Sequence, residues 1–199
     1  MKTLKIPNGA ISERQLSETA RALKEGEIAI IPTDTIYAIV CDALNSKAIE
    51  RICALKGINP EKSNLSIISP HISMAAEYAR IDNNAFRLIR ENTPGAFTFL
   101  LPTTRQLPKA FKGRKVVGVR IPDAEIPRQI AERLGNPLLC TSIQFEDADY
   151  AREPSLISEA YDGRVDLMIE GPDGDDIPST ILDLTGPDPV LVRAGKAPF

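Results

Sequence analysis

The sequence has no tryptophan, a single histidine and three cysteines among its 199 residues, and only 5% of the chain is aromatic. So few aromatic side chains argue against the stacking platforms on which single-stranded nucleic acid binds. Cys41, Cys53 and Cys140 form no CxxC pair, so the pattern indicates neither a zinc site nor a redox motif. Scattered, unpaired cysteines are typical of a reducing cytosol. The histidine, His71, follows a proline and precedes Ser73, which indicates a helix start at the protein surface.

Long apolar runs are also lacking. No stretch approaches the roughly 20 residues of a membrane span, and the N-terminal segment MKTLKIPNGA has no apolar signal-peptide core. We therefore expect a cytoplasmic protein that does not contact the membrane. Because a typical domain has about 100–200 residues, we expect a single domain over residues 1–199.

The net charge of −3 argues against a wholly basic nucleic-acid binder. The charges are unevenly spread, however, and acids dominate after Phe145. Between positions 105 and 120 there are six basic residues and no acid: Arg105, Lys109, Lys112, Arg114, Lys115 and Arg120. This basic segment is either a surface that faces phosphate groups or an ordinary solvated loop.

Helix-like and strand-like patterns alternate along the chain. Cap residues and apolar spacing predict helices that begin after Ser12, Ser46 and Asp82, and a further helix over 127–134. Apolar runs predict strands over 27–31, 65–69, 97–101, 116–121, 137–141, 167–170, 181–184 and 190–193. This alternation predicts an α/β fold, and the close spacing of the last strands indicates that part of the sheet is antiparallel.

A polar cluster follows the first apolar strand, where Thr33, Asp34, Thr35 and Tyr37 lie within five positions. Open α/β sheets usually bind their ligands at strand ends, and a small substrate needs hydrogen-bonding groups there. The alternative is a solvated turn.

Two cations occupy similar positions. Lys56 lies directly before Gly57, and its spacing continues the apolar face of the helix, which would point it toward the sheet. The alternative is a lysine in the last turn that complements the helix dipole. Arg120 ends an apolar strand and needs an anionic partner if it is buried. That partner is either a ligand carboxylate or phosphate or a structural Asp or Glu.

Hydroxyls and a further cation lie at other predicted strand ends, at Ser142, Ser179 and Arg193. If these strand ends converge, they form a pocket rich in donors for anionic oxygens. The sequence has no GxxxxGK[ST] or GxGxxG motif and no Ser–His–Asp signature. It therefore designates no catalytic residue and no metal site.

Seven blocks resemble the YrdC/YciO family, in order along nearly the whole chain. They are PTDTIY at 32–37, ICALKG at 52–57, PGAFT at 94–98, VRIP at 119–122, TS at 141–142, PSTILDLT at 178–185 and VRAG at 192–195. Residues 84–95 and 196–199 look most like the YciO branch. The resemblance implies a single-domain, open, twisted mixed sheet with flanking helices and a ligand cavity on one face.

Synthases of this family make threonylcarbamoyl-adenylate (threonylcarbamoyl-AMP) from L-threonine, bicarbonate and ATP, which Mg²⁺ accompanies. The product feeds the modification of a tRNA adenosine, and some members are described as binding double-stranded RNA. By resemblance, Thr35, Arg120 and Ser179 bind the substrate, and Thr33 and Tyr37 of the same polar cluster are added to the substrate-binding residues. By resemblance, Lys56, Ser142 and Arg193 bind the nucleotide, and Lys62 is added as a nearby cation.

Two departures from the synthase pattern stand out. Synthases carry Lys-x-Arg at the end of the second helix, whereas Ile58 occupies the Arg position here and Lys62 is the nearby substitute. A lysine offers a point charge and not a planar fork. The asparagine of the synthase Ser-Ala-Asn motif is also missing after Ser142, and Glu146 adds an acid nearby. Three hypotheses follow: a synthase, a non-catalytic nucleotide- or RNA-binding protein, and a hydrolase of threonylcarbamoyl-AMP.

Overall fold

The computed structural model describes residues 1–59, 65–104, 107, 115–145 and 148–199. Several predictions lie outside these residues: those for Lys62 and Glu146, and those for Arg105, Lys109, Lys112 and Arg114 of the basic segment.

Ten strands of the described chain form one mixed sheet. They are β1 (Lys2–Lys5), β2 (Ala29–Ile31), β3 (Ala38–Asp42), β4 (Ser66–Ile68), β5 (Phe97–Pro102), β6 (Val116–Arg120), β7 (Leu138–Ser142), β8 (Leu167–Glu170), β9 (Thr180–Asp183) and β10 (Val190–Arg193). Their order across the sheet is β1-β8-β2-β3-β7-β4-β6-β5-β9-β10. The pairs β1/β8, β2/β8, β4/β6 and β5/β9 are parallel and the others are antiparallel.

Seven helices of the described chain flank the sheet. They are α1 (Glu13–Lys24), α2 (Ser46–Lys56), α3 (Ile72–Tyr78), α4 (Asn83–Glu91), α5 (Glu125–Leu134), α6 (Ala148–Arg152) and α7 (Pro154–Tyr161). The predicted fold class, an α/β domain with an open mixed sheet, is confirmed. Within the described ranges, no helix has the length and apolar character needed to cross a membrane.

Both faces of the central strands are buried, whereas the edge strand β10 is exposed. Successive strand residues point to opposite faces, and in β3 Ile39 packs in one hydrophobic cluster while Val40 packs in the other. Ile52 of α2 belongs to the first cluster, and Leu23 of α1 and Ile130 of α5 belong to the second. Polar groups of the sheet therefore become accessible mainly where its strands end.

The helix starts follow capping chemistry. The predicted caps Ser12 and Asp82 are confirmed, and His71 begins α3 because its Nδ1 accepts from the Met74 amide at 3.1 Å. The prediction of Ser46 as a cap was wrong by one residue. The cap of α2 is Asn45, whose Oδ1 accepts from the Ala48 amide at 3.1 Å.

The sequence patterns did not predict β1, β3, α6 and α7. Two of them, β1 and α6, are only four and five residues long, and β3 follows directly on the polar cluster. The last strands also separate in space. β9 and β10 pair antiparallel as predicted, but β8 lies between β1 and β2 near the other end of the sheet.

Candidate functional site

A cavity of about 300 Å³ lies where the predicted strand ends meet. Its described lining comprises Lys56, Ile58, Ser66, Thr98, Arg120, Cys140, Thr141, Ser142, Gln144, Ser179, Ile181 and Arg193. The strand ends therefore converge on one cavity, which is the condition for a shared pocket. Among these lining residues there are three cations and no carboxylate.

Arg120 is buried at the end of β6 and is held from one side. Its Nη2 donates to Asp34 Oδ1 at 2.9 Å and to Thr35 Oγ1 at 3.0 Å. Asp34 Oδ2 in turn accepts from the Asp123 amide at 2.9 Å. Of the two partners considered for Arg120, the structural acid is therefore present. Arg120 Nε is buried without a hydrogen-bond partner, and the residue lines the cavity.

Thr33 and Thr35 shape the loop beside Arg120. Thr33 Oγ1 donates to the Ile36 carbonyl at 2.8 Å and accepts from the Thr35 amide at 3.0 Å. The two threonine hydroxyls are 3.1 Å apart. Thr35 reaches the site through Arg120, whereas Thr33 fixes the loop backbone.

Tyr37 lies apart from the cavity. It is fully buried, and its hydroxyl donates to the Pro172 carbonyl at 2.8 Å and accepts from the Gly171 amide at 3.2 Å. Burial raises the pKa of this phenol to about 12. The hydroxyl thus joins the residue before β3 to the loop at 171–174, and its position does not support the predicted contact with substrate.

Ser179 forms a polar cluster on another wall with Thr98 and Arg193. The Thr98 and Ser179 hydroxyls are 2.8 Å apart. Arg193 Nη2 donates to the Ser179 carbonyl at 2.7 Å and to its hydroxyl at 3.3 Å. Burial, and then the nearby Arg120 guanidinium, lower the pKa of Arg193. Two arginines that repel each other across a cavity favour the binding of an anion there.

Lys56 completes the set of cations. Its Nζ donates to the Ser142 carbonyl at 2.7 Å, and burial lowers the pKa of its ammonium. Gly57 ends α2 in the left-handed region, with φ of 62°. Both readings of Lys56 hold, because it lies in the last helical turn and also points into the cavity. Ile58 lines the cavity as well, at the position where the synthase pattern has an arginine.

Three neighbours were not predicted as site residues. Asp34 belongs to the polar cluster, but its pairing with Arg120 depends on contacts far apart in sequence. Thr98 stands in a family block without any assigned role. Lys196 donates to the Asp34 carbonyl at 2.7 Å and pairs with Asp175 Oδ2 at 2.9 Å.

A larger groove of about 810 Å³ lies between α3, α4 and the segment at 93–94. Its walls are mainly apolar, and Arg90 is the cation among its described lining residues. Because orientation of a small polar ligand needs converging polar groups, the smaller cavity is the better candidate site. Across the described residues, no group of three or more His, Cys, Asp or Glu could hold a metal ion.

Comparisons with known proteins place this geometry in context. A family model for Sua5, YciO and YrdC proteins, described as "Telomere recombination", matches residues 21–195. YciO of Escherichia coli strain K12 is 33% identical over 186 residues, which cover 92% of this chain and 90% of that protein. The crystal structure of E. coli YciO has a TM-score of 0.87 at 31% identity, covering 98% of this chain and 94% of that one.

A sequence match and a structure match from Pyrococcus abyssi are also similar. The threonylcarbamoyl-AMP synthase of Pyrococcus abyssi is 27% identical over 191 residues, which are 95% of this chain but 56% of the synthase. The crystal structure of P. abyssi Sua5 complexed with L-threonine has a TM-score of 0.86 at 26% identity, covering 98% of this chain and 57% of that one.

Proposed function

This chain belongs to the Sua5/YciO/YrdC family, and from that premise we propose that it binds L-threonine and ATP in the cavity and forms threonylcarbamoyl-AMP. The observation that carries the proposal is the convergence of Lys56, Arg120 and Arg193 on a cavity whose described lining has no carboxylate. Asp34 offsets one of these charges through Arg120. The remaining positive charge favours a ligand with several anionic groups.

The carboxylate of L-threonine fits the Arg120 wall. Arg120 and Ser179 line the cavity and would bind the carboxylate directly, and Thr35 would hold Arg120 through its hydroxyl. A charge-assisted bond from a buried guanidinium is among the strongest contacts that a carboxylate makes. This assignment keeps Arg120 and Ser179 as residues that contact the substrate, and Thr35 and Thr33 as residues that support Arg120.

The reaction needs positioning and charge neutralisation more than covalent chemistry by the protein. The threonine amine and bicarbonate give a carbamate and water. A carbamate oxygen then attacks the α-phosphate of ATP, a new P–O bond forms, and the bond to pyrophosphate breaks. Lys56, Ser142 and Arg193 would bind the phosphates and ribose, and Lys62 remains a further predicted phosphate contact.

Mg²⁺ would enter with the nucleotide. The described cavity lining offers it no carboxylate, and Mg²⁺ commonly binds through substrate phosphates and retained waters. The cytoplasmic location that the sequence predicts is consistent with a reaction that consumes ATP.

The proposal is tested by incubating the protein with ATP, Mg²⁺, bicarbonate and labelled L-threonine, and reading threonylcarbamoyl-AMP by mass spectrometry. We expect product in many-fold excess over protein. Arg120→Lys should lower kcat/KM for threonine about 100-fold, because a hydrogen bond to a charged group contributes about 1.5–3 kcal/mol. Arg51→Lys, outside the cavity, is the matched control. No product from a protein that still binds ATP in calorimetry would refute the synthase proposal.

A hydrolase is the second candidate, and Ile58 is the observation that favours it. Where synthases have a second cation, this cavity has an apolar side chain, which suits an adenylate with one phosphate better than a triphosphate. Supplied threonylcarbamoyl-AMP should then disappear in the presence of catalytic amounts of protein. An unchanged decay rate would exclude this candidate.

RNA binding through the basic segment stays a prediction, since most of that segment lies outside the described residues. Arg120, its last member, is buried in the cavity and is not available to a duplex.

A further inference from the structure

The backbone after β10 lies against the segment that carries Ser179. The Lys196 amide donates to the Pro178 carbonyl at 2.8 Å, and the Gly195 amide donates to Thr180 Oγ1 at 3.0 Å. A Cβ at Gly195 would lie 2.3 Å from the Pro178 oxygen. Only glycine therefore allows this close approach, which fixes where the Lys196 side chain begins.

The Lys196 side chain reaches the loop that carries Asp34 and Thr35. Its Nζ donates to the Asp34 carbonyl at 2.7 Å and pairs with Asp175 Oδ2 at 2.9 Å. The Asp175 amide donates to the Thr35 carbonyl at 3.1 Å. Two successive carbonyls of the loop are thus held, one by Lys196 directly and one by the carboxylate partner of Lys196.

The same two loop residues hold Arg120 through their side chains, since Asp34 Oδ1 and Thr35 Oγ1 both accept from its Nη2. We propose that Lys196 is a positioning residue: it fixes the backbone of Asp34 and Thr35 so that their side chains aim Arg120 at the substrate carboxylate. Neither Lys196 nor Asp175 is among the described residues that line the cavity. Lys196 therefore acts through Arg120, and the substrate part of this inference rests on the proposed binding of threonine.

The first experiment is hydrogen exchange on Lys196→Met, with Lys5→Met as the matched control. Lys5 also pairs with a carboxylate, Glu170 at 3.2 Å, but on β1. In Lys196→Met we expect faster exchange at the amides of Thr35, Asp123 and Asp175, with exchange in β2 and β8 unchanged. Unchanged exchange at those three amides, an equal response in Lys5→Met, or a general increase through the fold would overturn the proposal.

The second experiment measures L-threonine affinity by calorimetry. Lys196→Met should weaken binding about tenfold, because small displacements of a positioning group cost large factors in function. Lys196→Arg should restore most of the affinity, since an arginine can donate to both partners. If the wild-type protein does not bind L-threonine, the proposed function fails, and the exchange data alone decide whether Lys196 positions the loop. Normal threonine affinity in Lys196→Met with a binding-competent wild type would overturn the inference.

Discussion

Two arginine–carboxylate pairs in this protein are built differently. In the surface pair, Arg51 Nη1 and Nη2 donate to the two oxygens of Asp166 at 2.8 and 3.0 Å. In the cavity pair, Arg120 contacts Asp34 with one nitrogen, and its Nε is buried without a partner. The side chains of the surface pair are 45% and 32% exposed, whereas those of the cavity pair are 6% and 7% exposed.

The difference shows where the fold gives up stability. The surface pair satisfies its own hydrogen-bonding groups and can exchange them with water. The cavity pair is desolvated, and one of its buried donors has no hydrogen-bond partner, which is costly in a folded protein. Such local inconsistencies concentrate at functional sites, and the carboxylate of the proposed threonine substrate would be the third partner of the cavity pair.

Asp34→Ala should have the largest effect on the comparison. It leaves Arg120 buried and uncompensated, and we expect a loss of about 3–5 kcal/mol in the free energy of unfolding. Asp166→Ala at the surface pair should cost about 1–2 kcal/mol, because it also removes the acceptor of the Ile28 amide. Urea unfolding of both variants measures the difference. Equal losses would mean that the cavity pair is as well solvated as the surface pair.

Gly118→Ala should have the next largest effect, because it crowds the cavity wall. An added Cβ would lie 2.4 Å from Ser66 Oγ and 3.0 Å from Thr98 Cγ2. Overpacking of this kind costs about 1–3 kcal/mol, and the shift of Thr98 should also weaken threonine binding. Gly186→Ala is the control, as its Cβ would meet nothing within 4 Å. If Gly118→Ala has the stability and threonine affinity of the wild type, the neighbouring side chains accommodate the added Cβ without cost, and the prediction is wrong.

Tyr37→Phe should have a smaller effect, confined to stability. It removes the hydroxyl between Pro172 and Gly171, and we expect a loss of about 1 kcal/mol in unfolding free energy, which is the net contribution of a typical hydrogen bond. Threonine affinity should not change. A large loss of affinity at wild-type stability would restore the substrate contact that the sequence predicts for Tyr37.

The sequence predicts the site better than the contacts within it. Polar residues at the ends of apolar strands are visible in one dimension, so Arg120, Ser142, Ser179 and Arg193 could be assigned to one pocket. Helical spacing likewise places Lys56 on the inward face of α2.

Pairings between distant segments could not be predicted in the same way. Asp34 meets Arg120 only because β2, β3 and β6 take particular places in the sheet order. Thr35 and Tyr37 look equivalent in the polar cluster, yet one contacts Arg120 and the other is buried against the loop at 171–174. Lys196 lies outside every strand, so no periodic pattern indicates which loop it reaches.

The last prediction concerns pH and should have the smallest effect near neutrality. Burial lowers the pKa of Lys56 below the usual lysine value of 10.5, and only the protonated ammonium attracts phosphate. Tripolyphosphate affinity, measured by calorimetry, should therefore be full at neutral pH and fall as the pH rises, before an ordinary lysine would titrate. Cys140, whose pKa burial raises to about 11, adds negative charge only later.

Lys56→Arg separates the two contributions to this decline. Arginine stays charged throughout this range, so the early loss of affinity should disappear and only the later one should remain. An identical alkaline decline in wild type and Lys56→Arg would assign the titration to another group and remove Lys56 from the phosphate contacts. Replacement of a surface lysine such as Lys5 by arginine should leave the pH profile unchanged, because Lys5 is solvated and lies outside the cavity.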